Sequence, residues 1–317
     1  MEHEVIVIGS GVIGLTTAVR LAESGRRVAV WTRDPAERTT SAVSGGLWWP
    51  YRIEPMAKVS DWALRSYDVY AELAAADPAA TGVRMVSGVQ AGVRRSELGA
   101  WADKFDGAEL RVLAPDEVPA GYDAGLRMHV PVIDMPTHLR YLRGRLEAAG
   151  GRVEQREVHA LAEVPAATVV HCSGLGAREL AGDETMRPLQ GQLVLVDAPE
   201  VTEWFVGADW SAADTMYALP QPYGLVLGGT ARDGEWGLEP DPAVARAIVE
   251  RCAERVPAVR DARVLDHRVG LRPWRPSVRL ETEPLPGGRL CVHNYGHGGA
   301  GVTVAWGCAE EAAGLVP

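Results

Sequence analysis

The stretch EVIVIGSGVIGLTTAVRLAESGRRVAVWTRD, Glu4 to Asp34, decides the fold. It reads as strand, glycine turn, helix, strand. Val5 to Ile8 is a short apolar run rich in β-branched residues, the pattern of a parallel strand buried on both faces. Gly9, Gly11 and Gly14 then make G-x-G-x-x-G. The first glycine permits the turn, the second lets a pyrophosphate approach the backbone, and the third lets the helix lie on the strand. Leu15, Val19, Leu21 and Ala22 continue a helical stripe that stops at Gly25, a C-terminal glycine. Val28 to Trp31 forms the second strand. A nucleotide is expected against Gly9, Gly11, Val12, Ile13 and Gly14. The second strand of this motif normally ends in an acid for the ribose hydroxyls. Here the run is Trp31-Thr32-Arg33-Asp34. Arg33 fits a 2′-phosphate, or it stacks on adenine while Asp34 takes the ribose.

Working outward, MPTHLRYLRGRLEAAGG carries Leu139, Leu142 and Leu146 on one helical stripe, and ATVVHCSGLGA is a third apolar strand ending in glycine. These segments rejoin the nucleotide domain after an excursion. QGQLVLVDAP and TMYALPQPYGLVLGGTAR alternate like antiparallel strands, the latter turning at Gln221-Pro222. The chain closes on strand RLCVHNY, turn GHGGAG and helix VTVAWGCAEEAAGLV. The plan is α/β, a discontinuous Rossmann-like domain (1–50, 137–186 and 264–317) interleaved with a mostly antiparallel α+β substrate domain (51–136 and 187–263). Only one dinucleotide fingerprint is visible, so one cofactor must do the chemistry.

Composition narrows the function. The 317 residues are 47% hydrophobic and 23% charged, with a net charge of -10. That balance disfavours nucleic acid, whose phosphates need a basic surface. No apolar run is long enough to span a membrane, and the N-terminus lacks the basic region of a signal peptide. Cys172, Cys252, Cys291 and Cys308 have neither disulfide nor zinc spacing. His293 and His297 lie in a glycine-rich loop rather than on a helix, so no metal is expected. A reduced cytoplasm fits, and the C-terminal GLVP carries no peroxisomal tag.

Three further stretches point to a family. SGGLWWPY (Ser44 to Tyr51), GLRPWRPSVRLE (Gly270 to Glu281) and HNYGHGGAGVTVAWGCA (His293 to Ala309) together resemble the D-amino-acid oxidases, FAD-dependent flavoproteins, over nearly the whole chain. The resemblance implies non-covalent FAD and oxidative deamination. Hydride passes from Cα of a D-amino acid to flavin N5, and the imino acid hydrolyses to a 2-oxo acid and ammonia. O2 then returns the flavin to its oxidised form and gives H2O2. A D-amino acid and O2 are the implied partners, with a homodimer left open and no nucleic acid or membrane. The resemblance also implies residues. Arg279 in SVRLE would hold the substrate carboxylate with Tyr217, the Gly299 carbonyl would accept from the amino group, and Trp49 would stand in the pocket. Thr39, Thr40, Ser41, Gly45, Gly46 and Leu47 would wrap the pyrophosphate and isoalloxazine. Val158, Cys172, Ser173 and Gly174 would lie at strand ends near adenosine and flavin.

An extended strand puts Val278 and Leu280 on one face and Ser277, Arg279 and Glu281 on the other, and an arginine there can present its fork to a carboxylate. Arg272 and Arg275, beside prolines, are expected to pair structurally. Gly298, Gly299, Gly301, Val302 and Thr303 would open the last helix toward the flavin pyrimidine edge, where an N-terminus carries roughly +0.5 charge and favours an anionic reduced ring. No side-chain acid or base is required. A second lid tyrosine has no counterpart, Ala213 standing near its place. D-Aspartate oxidases resemble GGTR where this chain has GGTA, Gly228 to Ala231, with Arg232 one place later, so neutral D-amino acids are favoured. Alternatives are D-aspartate oxidase, a glycine or sarcosine oxidase, a non-catalytic flavoprotein, and an NADP-linked dehydrogenase resting on Arg33.

Overall fold

A computed structural model describes residues 4–107, 109–207 and 214–317. Among them, fourteen strands join one sheet. In chain order they are β1 (Val5–Ile8), β2 (Val28–Thr32), β3 (Val83–Ala91), β4 (Leu110–Val112), β5 (Gly125–Ile133), β6 (Arg152–Gln155), β7 (Thr168–His171), β8 (Arg187–Asp197), β9 (Trp204–Gly207), β10 (Asp214–Gln221), β11 (Gly224–Thr230), β12 (Arg232–Asp233), β13 (Arg263–Leu285) and β14 (Arg289–His297). The main helices are α1 (Val12–Glu23), α2 (Thr40–Val43), α3 (Met56–Ala76), α4 (Pro78–Thr81), α5 (Met135–Ala148), α6 (Ala177–Leu180), α7 (Pro242–Ala253) and α8 (Gly301–Gly314).

One end of the sheet is parallel, in the order β14-β7-β1-β2-β6. Val5–Ile8 and Val28–Thr32 are buried at every residue, as their unbroken apolar runs require. The other end, β4-β5-β3-β9-β10-β11-β8-β13, is antiparallel except where β9 runs parallel to β3. Helices α1, α3, α5 and α8 share one core with one face of the parallel strands, while α7 closes a separate core on β8, β10 and β11. The hairpin expected at Gln221-Pro222 joins β10 to β11, with Gln221 opposite Gly224.

Strand β13 is the join. Its 23 residues pair with β8 from Arg263 to Trp274 and with β14 from Arg279 to Leu285, with a register shift between. The boundary expected at 264 therefore falls at the start of a strand whose first half belongs to the antiparallel end of the sheet. In the stretch RVEQREVHAL only Arg152–Gln155 forms a strand, which pairs with β2 alone and is exposed at both ends.

Helix α8 is apolar nearly all round and buried among α1, α3 and β14, so its packing has little slack. At Gly307 a Cβ would stand 2.4 Å from both Cα and the carbonyl oxygen of Trp62 on α3. At Gly144, on the exposed face of α5, an added Cβ meets nothing within 4 Å. Gly307→Ala is expected to destabilise the protein by about 1–3 kcal/mol through overpacking. Gly144→Ala should stabilise it by about 0.5–1 kcal/mol, because alanine loses less backbone entropy. Melting temperatures that fail to move in opposite directions would contradict this packing.

Candidate active site

The glycine turn after β1 does what its spacing demands. Gly9 adopts φ +107, and a Cβ there would lie 2.6 Å from the carbonyl oxygen of Cys172 at the end of β7. A Cβ on Gly14 would lie 1.9 Å from the Gly9 carbonyl oxygen, so only glycine lets α1 descend onto the strand. Gly11 is different. Its missing side chain opens toward α2, where the nearest atom is Ser41 Oγ at 3.1 Å. That hydroxyl accepts from the Val12 amide at 3.0 Å, which leaves its own proton for a further acceptor. Thr39 and Thr40 flank it, and the Thr40 hydroxyl donates to the Leu271 carbonyl at 2.9 Å, tying α2 to β13.

The N-termini of α1 and α8 converge on the same region. Neither helix has an acidic first turn or a side-chain cap from its N-cap residue. In α1 the Val12 amide is taken by Ser41 Oγ, and the Ile13 and Gly14 amides behind it, with the leading amides of α8, stay available to an anion. Gly298 enters the turn before α8 with φ +53. The Thr303 hydroxyl is committed to Trp49, donating to the carbonyl at 2.9 Å and accepting from the amide at 3.1 Å. It anchors the Ser44–Tyr51 segment to α8. Trp49 is 6% exposed and packs edge-on against Trp101, with Trp204 beyond.

On the other side of β13, Arg272, Tyr217, Tyr51 and Gly299 come together. Nη1 of Arg272 donates to the Thr230 carbonyl at 3.0 Å, and its guanidinium also bonds the Tyr217 side chain. Glycines make the space. A Cβ on Gly191 would stand 2.3 Å from Arg272 Nη1, and one on Gly228 would stand 1.7 Å from the Tyr217 ring. Gly299 is exposed between buried neighbours, and a Cβ on it would meet the Tyr51 ring at 2.8 Å and Arg272 Cδ at 3.4 Å. Burial raises the pKa of both tyrosines against the opposing pull of Arg272, so their hydroxyls keep their protons and can donate to a carboxylate.

Arg279 does not join this group, which corrects the expectation from SVRLE. It is bound on the opposite face of β13, donating to Glu281 at 2.7 Å, Glu283 at 2.8 Å and the Tyr295 hydroxyl at 3.0 Å. The reason is strand alternation. Val278 and Leu280 turn to the core shared with the helices, so Arg279 turns away from it. Arg272 lies before the register shift between Trp274 and Arg279, so alternation cannot be counted from one to the other; its contacts place it instead, against Gly191, the Thr230 carbonyl and Gly299. Arg275 pairs with Asp183 at 2.8 Å, as expected of a structural arginine. The alternation was legible in the sequence, and nothing there signalled Tyr51 or Gly191.

The remaining expected positions are spread over both ends of the sheet. Arg33 donates to Asp34 at 2.8 Å in an exposed pair, so this guanidinium is not waiting for a 2′-phosphate. Gly45 and Gly46 lie against the antiparallel end of the sheet, the Gly45 carbonyl accepting from Gln221 and the Gly46 carbonyl from the Ile133 amide. Leu47 bridges to Val132, and Val158 packs beside Trp31 and Leu161. The thiol of Cys172 is pushed well up by burial, which suits a packing residue rather than a redox one. Ala213 lies outside the described residues. No cluster of metal-ligating side chains occurs among the described residues, and none of their helices is long and apolar enough to cross a membrane.

A turn that admits a pyrophosphate and two open helix N-termini define a flavin- or nicotinamide-binding protein, and the family resolves which. Residues 4–315 match the model of the FAD dependent oxidoreductase family, and the chain belongs to that family. It is 59% identical over 314 residues to the D-amino-acid oxidase of Streptomyces coelicolor, covering 99% of this chain and 97% of that protein. It is 50% identical to the D-amino-acid oxidase of Rubrobacter xylanophilus, covering 98% and 94%. Glycine oxidase from Geobacillus kaustophilus shares the fold, with a TM-score of 0.83 at 19% identity over 99% of this chain and 94% of that one. The cofactor is FAD, and the open space at Gly11 with the uncapped amides of α1 and α8 fits it.

Gly11→Val would fill the approach beside Ser41 while leaving the turn at Gly9 and the contact at Gly14 intact. The variant is expected to fold but purify colourless. Wild type should be yellow and release its flavin on acid precipitation. A fully loaded variant, or a yellow wild-type pellet, would contradict this account.

Proposed function

We propose that the chain is a D-amino-acid oxidase for neutral D-amino acids, using a D-amino acid and O2 as substrates. The observation that carries the reading is the Arg272–Tyr217 pair standing by Gly299, just before the N-terminus of α8. A flavin holder without substrate has no need of a guanidinium and a protonated phenol converging beside it. The two close relatives, both D-amino-acid oxidases, support the same class and enantiomer.

Bound FAD supplies the two-electron acceptor, and this chain's residues place the substrate against it. Arg272 takes the carboxylate as a charged fork, and the Tyr217 hydroxyl adds a third donor. Tyr51 closes the pocket on the opposite side of Gly299, whose carbonyl accepts from the amine. With the carboxylate and amine both held, only rotation about one axis remains, and Cα–H is aimed by fixed groups rather than by a catalytic acid or base. Ala231 is 6% exposed, and Arg232 turns to solvent on β12, so the position expected to recognise a side-chain carboxylate carries no charge. That supports neutral over acidic substrates.

A peroxide assay across D- and L-amino acids tests the activity. Signal with D-alanine and D-methionine is expected, with little from D-aspartate or L-enantiomers, and activity only toward L-amino acids would refute the class. Arg272→Leu should raise KM by about 30- to 5,000-fold, because it strips a buried carboxylate of its partner at a cost of roughly 2–5 kcal/mol. Arg272→Lys keeps the charge without the fork and should fall between. Arg279→Leu should leave kcat/KM within about threefold, below the smallest loss expected for the anchor. Steady-state kinetics on flavin-loaded variants would sink the assignment if the arginines exchanged behaviours.

A further inference from the structure

Behind the glycine turn, on the sheet face turned away from α1, four polar side chains form a chain that substrate binding does not use. The Ser173 hydroxyl lies 2.6 Å from Nε2 of His171, and Nδ1 of His171 lies 3.1 Å from Nδ1 of His293. Nε2 of His293 lies 3.0 Å from Oε2 of Glu283. Both imidazoles are fully buried, whereas Glu283 is half exposed and ion-paired to Arg279 at 2.8 Å.

Chemistry gives this chain one direction. Glu283 is held as a carboxylate by the bond to His293 and by Arg279, which together outweigh its partial burial, and a carboxylate only accepts. His293 therefore carries its proton on Nε2. Burial pushes both rings toward the neutral form, assisted by the positive charge of Arg279, and holds His171 down at about 3. A neutral ring has one N–H. Nδ1 of His293 is then an acceptor, Nδ1 of His171 its donor, and Nε2 of His171 an acceptor that takes the Ser173 proton. Ser173 Oγ is left with lone pairs alone. Ser173 sits where β7 meets the glycine turn, its Cα 3.3 Å from the place of a Cβ on Gly9 and its Oγ 3.1 Å from the place of a Cβ on Gly176, and Gly174 beside it faces Pro273.

We propose that Ser173, His171, His293 and Glu283 form a one-way hydrogen-bond relay that presents Ser173 Oγ as an acceptor to a ribitol or ribose hydroxyl of bound FAD. The relay rests on the FAD reading of the glycine turn. A phosphate oxygen has no proton to give and is excluded as the partner. His171, His293 and Glu283 are positioning residues that act through Ser173. One proton taken up by the imidazole pair would reverse the chain, because His171 would then donate to Ser173 and turn the hydroxyl proton outward. The groups facing the pair are Glu281, Glu283 and Arg279 from β13 and Cys291 and Tyr295 from β14, with Asp183 after α6 behind them, bonded to the Tyr295 hydroxyl. Burial and Arg279 disfavour the extra proton, so the direction holds near neutral pH.

Nitrogen NMR of 15N-histidine-labelled holoprotein at about pH 7.5 reads the relay directly, with His171→Asn and His293→Asn for assignment. The expected result is His171 protonated on Nδ1 and His293 on Nε2, both neutral. A His171 protonated on Nε2, or a cationic ring, overturns the proposal. Titration of apoprotein with FAD reads its consequence. Ser173→Ala should weaken FAD about 2- to 10-fold, the range of one hydrogen bond, with Ser173→Thr within about twofold of wild type. Among FAD analogues lacking one ribitol or ribose hydroxyl, one should weaken wild type by the same factor and Ser173→Ala by no more. Additive losses for every analogue also overturn the proposal. Retention of FAD by Gly11→Val would instead count against the cofactor site, and is read independently of the tautomers.

Discussion

Strand β13 hydrogen-bonds to β8 along its first half and to β14 along its second, and the rest of the molecule hangs on that changeover. It joins the parallel end of the sheet to the antiparallel end, and where its ladder is interrupted between Trp274 and Arg279 the Val278 amide donates to the Glu54 carbonyl at 2.8 Å. The register shift between Trp274 and Arg279 falls where the chain passes beside the N-terminus of α8 and the turn at Ser173-Gly174. The N-terminus of α8 and the Arg272–Tyr217 cluster thus share one stiff element. The Thr40 bond to Leu271 and the glycine at 270, which leaves room for Val43, bind α2 to the same strand.

Glycine works here by subtraction. Gly191 and Gly228 leave the volume that the Arg272 guanidinium and the Tyr217 ring occupy, as Gly14 leaves the volume of a carbonyl oxygen. Each large polar group is positioned by a bare backbone opposite it, which fixes its place without adding a rotamer to freeze. On the reverse face of β13 the arrangement differs. Arg279 is bound to carboxylates that are 60% and 51% exposed, so those pairs contribute about 0–1 kcal/mol each. Their larger effect is to hold Glu283 ionised against the buried histidines.

The glycine fingerprint was readable because its causes are local. A φ of +107 and a 1.9 Å approach both lie within six residues of sequence, and the apolar runs of β1, β2 and β7 advertise burial on both faces. The ends of α1, α5 and α8 and the β10–β11 hairpin follow from equally short-range signals. Three arginines within eight residues are another matter. Period-two alternation turns Arg279 away from Val278 and Leu280, but the register shift between Trp274 and Arg279 stops the count before Arg272, and which face meets a ligand depends on what packs against each.

Sequence by itself therefore determined the class of fold, the cofactor turn and the candidates for recognition, since these rest on backbone sterics and periodicity between near neighbours. Tertiary structure decided which arginine stands with Tyr217, that Tyr51 and Gly191 share its site, and that Thr303 serves Trp49. It also brought His171 to His293, 122 positions apart. Those outcomes are set by strand register and by helices closing over the sheet, where one residue's shift would reverse every side chain, and no local pattern encodes that choice.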